Sequence, residues 1–307
     1  MSGLYSSTVP PTDRRRALRD SLTSTRITRL PGAFSPLVAR AVQDKGFEGV
    51  YVSGAVVAAD LALPDIGLTT LTEVAGRARQ IARATDLPVL VDADTGFGEP
   101  MSAARTVSEL EDAGIAGCHL EDQVNPKRCG HLDGKEVVPT EVMLRRIGAA
   151  VKERRDDQFV ICARTDAAGV EGIDSAVERA KAYADAGADL IFTEALRTPA
   201  EFEKFRAAVD VPLLANMTEF GKSELLGAKT LEDLGYNAVI FPVTTLRIAM
   251  GQVEQALGDI ASTGTQRDWL DRMQHRSRLY ELLRYREYNE FDTSVFTYSP
   301  DTYDPTA

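Results

Sequence analysis

The sequence predicts a parallel (β/α)8 barrel with a helical extension at its C-terminal end, on three observations. Short apolar or β-branched runs recur eight times, stretches of helical apolar spacing lie between them, and helix start and stop signals fall where the two meet. Eight strand–helix units within about 240 residues match a closed barrel, whereas a doubly wound sheet ordinarily uses fewer strands. A doubly wound fold would also want a glycine-rich dinucleotide turn, and Gly96-Phe97-Gly98 lacks the third glycine at the right offset.

The runs read as strands are residues 26–30, 49–53, 88–92, 117–121, 159–164, 190–194, 211–216 and 238–241. Helical spacing marks residues 71–84, 103–113, 140–155 and 175–186. Ser35-Pro36 reads as an N-cap followed by proline at the first helical position. Thr70 with Glu73, and Thr198 with Glu201, read as capping boxes. Gly46, Gly114, Gly187 and Gly235 read as helix stops. The barrel is assigned to residues 1–264 and the extension to residues 265–307. Within the extension, residues 267–278 and 279–289 carry helical spacing with many arginines and tyrosines, and would pack under their own barrel or reach a neighbouring subunit. Residues 293–307, with several Ser, Thr, Pro and Asp, read as a loose end.

A formal charge of -11 argues against nucleic-acid or anionic-membrane partners, which need a basic footprint. It does not exclude an anionic small molecule, because a few arginines make a local positive site. The first eleven residues show no basic region followed by an apolar one, and no apolar stretch approaches a membrane span. Three cysteines, Cys118, Cys129 and Cys162, cannot all pair with one another. The expectation is a soluble cytoplasmic protein.

In a barrel of this kind the chemistry sits at the C-terminal ends of the strands. There the runs finish in Ser53, Asp92 with Asp94, Glu121, Arg164 with Asp166, Glu194 and Asn216. Converging carboxylates repel unless a cation or a proton relieves them, and Asp92, Asp94 and Glu121 offer only hard oxygen donors. That set suits Mg2+ or Mn2+ rather than zinc; the bland alternative is ion pairs and helix caps around the mouth. His119 reads as a hydrogen-bonding group behind the ligands. The long polar loop after the fourth strand holds Cys129 among Lys127, Arg128 and His131, cations expected to lower its pKa and make it a general acid or base. Gly130 and Gly134 would let that loop fold over a substrate. Cys118 and Cys162 read as core residues.

Taken together, these segments resemble the isocitrate lyase and phosphoenolpyruvate mutase superfamily, and within it the 2-methylisocitrate lyase family. The resemblance rests on Leu30-Pro31-Gly32-Ala33, Tyr51-Val52-Ser53-Gly54, Leu63-Pro64-Asp65 and the run from Val91 through Asp92, Asp94 and Gly96 to Gly98. It continues in His119-Leu120-Glu121-Asp122-Gln123, Lys127-Arg128-Cys129-Gly130-His131, Ala163-Arg164-Thr165-Asp166-Ala167, Glu194-Ala195 and Asn216-Met217-Thr218-Glu219-Phe220. The resemblance implies a Mg2+ site at Asp92 and Asp94, with Glu121 nearby. It implies substrate contacts from Ser53, Gly54, Ala55, Cys129, Gly130, Arg164, Glu194, Asn216, Met217, Thr218, Arg247 and Arg276. It also implies a homotetramer in which a C-terminal helix crosses to a neighbour. Where many relatives have Ser-Gly-Gly this chain has Ser53-Gly54-Ala55, which puts close packing there in doubt.

The implied reaction is cleavage of 2-methylisocitrate, a small tricarboxylate, to pyruvate and succinate, a step of propionate catabolism through the 2-methylcitrate cycle. Cys129 is then the proton donor, and Tyr51 or Glu121 the base. The first alternative is cleavage of isocitrate to glyoxylate, although true isocitrate lyases are longer and carry a Ser-Pro-Ser segment where this chain has Met217-Thr218-Glu219-Phe220. Phe192, Ile240 and Pro242 are apolar enough to house one extra methyl. The second is a non-catalytic binding barrel, which would be expected to have lost a metal carboxylate or the cysteine.

Overall fold

The computed structural model describes residue 4 and residues 6–131 and 134–296. Eight parallel strands form the wall: β1 (Thr28–Pro31), β2 (Val50–Val52), β3 (Val89–Asp92), β4 (Gly117–Glu121), β5 (Val160–Thr165), β6 (Leu190–Thr193), β7 (Leu213–Asn216) and β8 (Ala238–Phe241). They pair in chain order from β2 to β8, and β8 pairs with β1. A bridge between Gly32 and Tyr51, with the Ala33 N–H donating to the Tyr51 carbonyl, brings the first strand against the second and nearly closes the barrel.

Strand periodicity splits the wall residues into two packed sets. Leu30, Tyr51, Leu90, Val160, Cys162, Phe192, Leu214 and Ile240 point inward and fill the barrel. Val52, Val91, Cys118, Leu120, Ile161, Ile191 and Val239 point outward and pack in the helix-facing core. Because both faces are buried, the strands read as nearly continuous apolar runs.

The helices are α1 (Pro11–Leu22), α2 (Pro36–Asp44), α3 (Gly54–Asp60), α4 (Leu71–Ala84), α5 (Pro100–Asp112), α6 (Thr140–Glu153), α7 (Ile173–Asp185), α8 (Pro199–Ala208), α9 (Ala228–Asp233), α10 (Thr244–Thr263), α11 (Arg276–Leu282) and α12 (Tyr285–Phe296). The start of α2 is capped by Ser35, and the Thr70–Glu73 box opens α4 with both reciprocal bonds formed. The box expected at Thr198 is absent: its side chain makes no cap bond, and Glu201 instead accepts from the Arg197 N–H at 2.5 Å. All four glycines read as helix stops have positive φ.

Helix α1 was not legible in the sequence, because consecutive arginines at 14–16 mask its apolar stripe. Leu18 and Leu22 join the inward-facing cluster and plug the N-terminal end of the barrel, leaving the other end for chemistry. The buried guanidinium of Arg15 donates to the carbonyls of Ile115 and Glu111, and Arg14 donates to that of Ala82.

After β8, α10 runs for 20 residues with none buried, and a short 3-10 turn (Arg267–Arg272) leads to α11 and α12. Helix α11 packs on α2, where Arg278 pairs with Asp44. Of the segment read as a loose end, residues 293–296 belong to α12 and the remainder lies outside the described residues. Among the described residues no helix is long and apolar enough to cross a membrane.

Candidate active site

Five consecutive strands, β3 to β7, end in or beside Asp92, Glu121, Arg164, Glu194 and Asn216, and Arg164 is the centre of the group. Its guanidinium lies 3.1 Å from Glu121 Oε2 and 3.3 Å from Glu194 Oε2, and donates through Nε to Asp166 Oδ2 at 2.9 Å. The Phe192 ring underlies it, 5.2 Å from the guanidinium carbon. Three carboxylates around one buried cation are each held by the strand they end. Burial pushes Glu194 up, but Arg164, His131 and Lys135 outweigh it and hold this carboxyl well below the usual range. Burial prevails at Glu121, which is raised well above it.

Asp92 ends β3, and the chain turns sharply after it: Asp94 has φ +46°, and its N–H donates to Asp92 Oδ1 at 3.0 Å. Asp94 is therefore brought beside Asp92 by a turn, not by a longer strand. Gly54, the first residue of α3, donates its N–H to Asp92 Oδ2 at 3.0 Å. A Cβ at Gly54 would stand 3.0 Å from Asp92 Oδ2 and 3.1 Å from Asp94 Oδ1, so any larger residue would press these oxygens aside by a few tenths of an ångström. Burial and the Asp92 charge push Asp94 up to about 6. Burial also raises Asp92, but His119, Lys127 and Arg164 outweigh it and leave it below the usual range.

Several of these oxygens are buried without a hydrogen bond: Asp94 Oδ1 and both oxygens of Glu121. Asp94 Oδ1 has only the Lys127 ammonium, 2.8 Å away, as charge compensation. Unsatisfied buried carboxylate oxygens are what a hard divalent cation would relieve. Among the described residues no three His, Cys, Asp or Glu side chains converge on one metal-sized point. Two carboxylates with water and substrate oxygens completing the shell is the Mg2+ pattern, so the residues fit that ion.

The described residues of the loop after β4 are held on this mouth by the loop's own basic side chains. Lys127 pairs with Asp65 and Asp94. Gln123 brackets Arg128, accepting from its N–H and donating to its carbonyl, both at 2.8 Å. His131 Nε2 lies 2.7 Å from Glu194 Oε1, while its Nδ1 accepts from the Lys222 N–H at 3.0 Å. Since a backbone N–H can only donate, Nδ1 carries no proton, and Nε2 is the donor to Glu194. Lys135 pairs with Asp166 at 2.8 Å.

This arrangement corrects the expectation for Cys129. The neighbouring cations are engaged with carboxylates and carbonyls, and burial raises the thiol, so that it is protonated at neutral pH. Gly130 touches the Arg164–Glu194 pair directly: a Cβ there would fall 2.3 Å from Arg164 Nη2 and 2.6 Å from Glu194 Cγ. Gly130→Ala is therefore expected to lift the loop, lowering stability by about 1–3 kcal/mol. It should also speed alkylation of Cys129 by iodoacetamide, the other two cysteines being buried. An unchanged melting temperature and unchanged thiol reactivity would show that the loop has room to spare.

The remaining predicted residues divide in two. Tyr51 Oη is hydrogen-bonded to His119 Nε2 at 2.7 Å, with Asp92 3.6 Å from the same nitrogen, and burial raises the phenol well above its ordinary range. Ser53 is buried at the start of α3, and Ala55 partly so. Asn216 Nδ2 donates to Glu194. Thr218 is buried, whereas Met217 packs in the outer core, leaving only its backbone for the mouth. Arg247 is half-exposed on α10 and pairs with Glu219. Arg276 lies outside the group: it opens α11, exposed, on the α2 side of the barrel, where the tail happens to pack. Sequence reasoning passed over Lys135, named Asp65 only within a matching segment, gave Lys127 and His131 only an influence on the thiol, and left Asp166 without a site role. The first four owe their place to loop folding, which no strand ending announces.

A family model described as phosphoenolpyruvate phosphomutase matches residues 18–261. Over 305 residues, 99% of each chain, the sequence is 83% identical to "Probable 2-methylisocitrate lyase 2" of Corynebacterium glutamicum. It is 48% identical over 278 residues to 2-methylisocitrate lyase of Aeropyrum pernix, covering 91% of this chain and 90% of the relative. Among solved structures, oxaloacetate acetylhydrolase with 3,3-difluorooxalacetate superposes with a TM-score of 0.88 at 33% identity, covering 95% of this chain and 99% of that one. Phosphonopyruvate hydrolase with oxalate and Mg2+ gives 0.82 at 29% identity, covering 93% and 99%. The chain belongs to the isocitrate lyase and phosphoenolpyruvate mutase superfamily and, within it, to the carbon–carbon lyases of the 2-methylisocitrate lyase family.

Proposed function

We propose that this lyase cleaves the C2–C3 bond of 2-methylisocitrate to pyruvate and succinate, with Mg2+ (or Mn2+) held by Asp92 and Asp94 and Cys129 as the proton donor. The observation that carries the reading is the contact of the Cys129–Gly130 segment with the Arg164–Glu194 pair, beside the two metal carboxylates. The Mg2+ in the structure of phosphonopyruvate hydrolase supports the choice of ion. When bound, Mg2+ supplies Lewis-acid assistance to ionisation of the substrate 2-hydroxyl.

The chain's own residues do the rest. Arg164 and Arg247 grip carboxylates, Arg247 by exchanging Glu219 for substrate. Ser53, Asn216, Thr218 and the backbones of Gly54, Ala55, Gly130 and Met217 orient the remaining oxygens. The hydroxyl proton goes to one of two bases: Glu121, whose oxygens lack hydrogen-bond partners but whose burial favours the protonated form, or Tyr51, whose hydroxyl is engaged by His119. As the C2–C3 bond breaks, C2 becomes the pyruvate carbonyl carbon, and the bonding electrons pass to C3 and into its carboxylate. The protonated thiol of Cys129 then delivers the proton that makes succinate. Arg276 could join only from a neighbouring subunit, consistent with the homotetramer expected of the family.

Phe192 on β6, Ile240 on β8 and Pro242 just after it are the apolar residues proposed to receive the extra methyl. One methyl is worth about 1–3 kcal/mol, so isocitrate should be cleaved some 10–200-fold less efficiently. Coupled assays for pyruvate and for glyoxylate, with and without EDTA, test this directly. Pyruvate release abolished by EDTA is expected; preferential glyoxylate release would make isocitrate the substrate, and release of neither would remove the lyase reading for this substrate class.

A further inference from the structure

Lys135 lies outside every residue assigned above to substrate, metal or proton transfer, yet its ammonium is buried in the mouth. Its side chain is only 3% exposed; Nζ pairs with Asp166 Oδ1 at 2.8 Å and donates to the Gly130 carbonyl. Burying a lysine charge costs several kcal/mol before compensation, and an apolar side chain of the same length would fill the space without that cost. A charge kept there implies a use for it.

The two partners of Lys135 identify the use. Asp166 is the carboxylate that Arg164 grips through both Nε and Nη2, at 2.9 and 3.1 Å. The Gly130 carbonyl belongs to the same peptide unit as the His131 N–H, and that N–H lies near the Cys129 sulfur, where it favours the thiolate against burial. A trans peptide points its C=O and N–H to opposite sides, so a cation fixed on the oxygen orients the N–H and polarises it toward sulfur. We infer that Lys135 is a positioning residue, holding the Gly130–His131 peptide so that it addresses the Cys129 sulfur and tying that peptide through Asp166 to Arg164. The inference rests on the reading of Cys129 as proton donor. It ties the loop to the strand ends at the point where the proton is transferred, and makes the departing thiolate easier to form.

Besides the His131 N–H, the charged groups facing Cys129 are Asp65 from the loop after α3, Glu194 after β6 and Arg164 on β5. All of these residues are retained in Lys135→Met, which keeps length and loses the charge that Asp166 and Glu194 feel. That variant is expected to lower kcat about 100-fold, the cost of a misplaced reacting group, with little change in KM. The pH dependence of iodoacetamide alkylation should shift upward, with about threefold less thiolate at a given pH. Lys135→Arg, which restores a cation, should recover much of both.

Three outcomes overturn the inference: wild-type kcat in Lys135→Met, a fall in kcat with unmoved thiol titration, or no recovery in Lys135→Arg of whatever Lys135→Met loses. Should Lys135→Met not fold, Lys135→Gln is read by the same thiol titration. The Cys129 reading fails separately, by turnover in Cys129→Ala, whatever Lys135 does.

Discussion

Cys129→Ala is expected to lower kcat by about 100- to 10,000-fold, the range that a positioned general acid contributes. The KM for 2-methylisocitrate should stay within about threefold, because the interaction removed is one made in the transition state. Neither remaining thiol can substitute. Cys162 faces the barrel interior below Arg164 and Cys118 faces the helices, and burial pushes Cys118 up to about 12. Since the acid form is the active one, wild-type kcat should fall on the alkaline side as the thiol ionises, and the variant's residual rate should lose that limb. Steady-state kinetics across pH, with circular dichroism to show an intact fold, make the comparison. Near-wild-type turnover in the variant would remove the acid role. Metal removal would still be expected to stop the reaction through the separate carboxylate site.

The barrel was legible because its information is local. Parallel strands buried on both faces must be short apolar runs, and β4 and β8 carry the boundaries expected of them. The strand ends were legible for a related reason: a charged residue following such a run has only the mouth to occupy. What the sequence hid is long-range or compensating. The cations around Cys129 suggest an ionised thiol when read in order along the chain, but in space Lys127 is used by Asp65 and Asp94, and burial decides the thiol. Lys135 carries no signal at all, because its partners lie five and thirty-one residues away on either side. The plug helix was missed because Arg14 and Arg15 are buried against carbonyls, a use of arginine that composition reads as surface.

Arg164→Met tests the electrostatic centre of the site, and its expected effect on stability is the largest of any single change. It removes a buried guanidinium from beside Glu121, Asp166 and Glu194 while keeping an unbranched apolar side chain. Leaving buried carboxylates without their cation costs about 3–5 kcal/mol. The pH dependence identifies the cause. In the wild type Glu194 is held below the usual range, so its contribution is present above its unfolded pKa of about 4.3 and is lost as pH falls through the folded value. Without Arg164, burial becomes the dominant influence and moves the folded pKa above the unfolded one. Glu194 then opposes folding at neutral pH, and acidification toward pH 5 relieves the penalty by protonating it. Urea denaturation in metal-free buffer at pH 8 and pH 5 should therefore show a wide gap between wild type and variant that narrows at the lower pH. Arg164→Lys, which retains charge without the bidentate fork, should close part of the gap at pH 8 while leaving turnover low. A gap of equal size at both pH values would mean that the loss comes from packing against Phe192, and that the carboxylates around Arg164 do not depend on it for their charge.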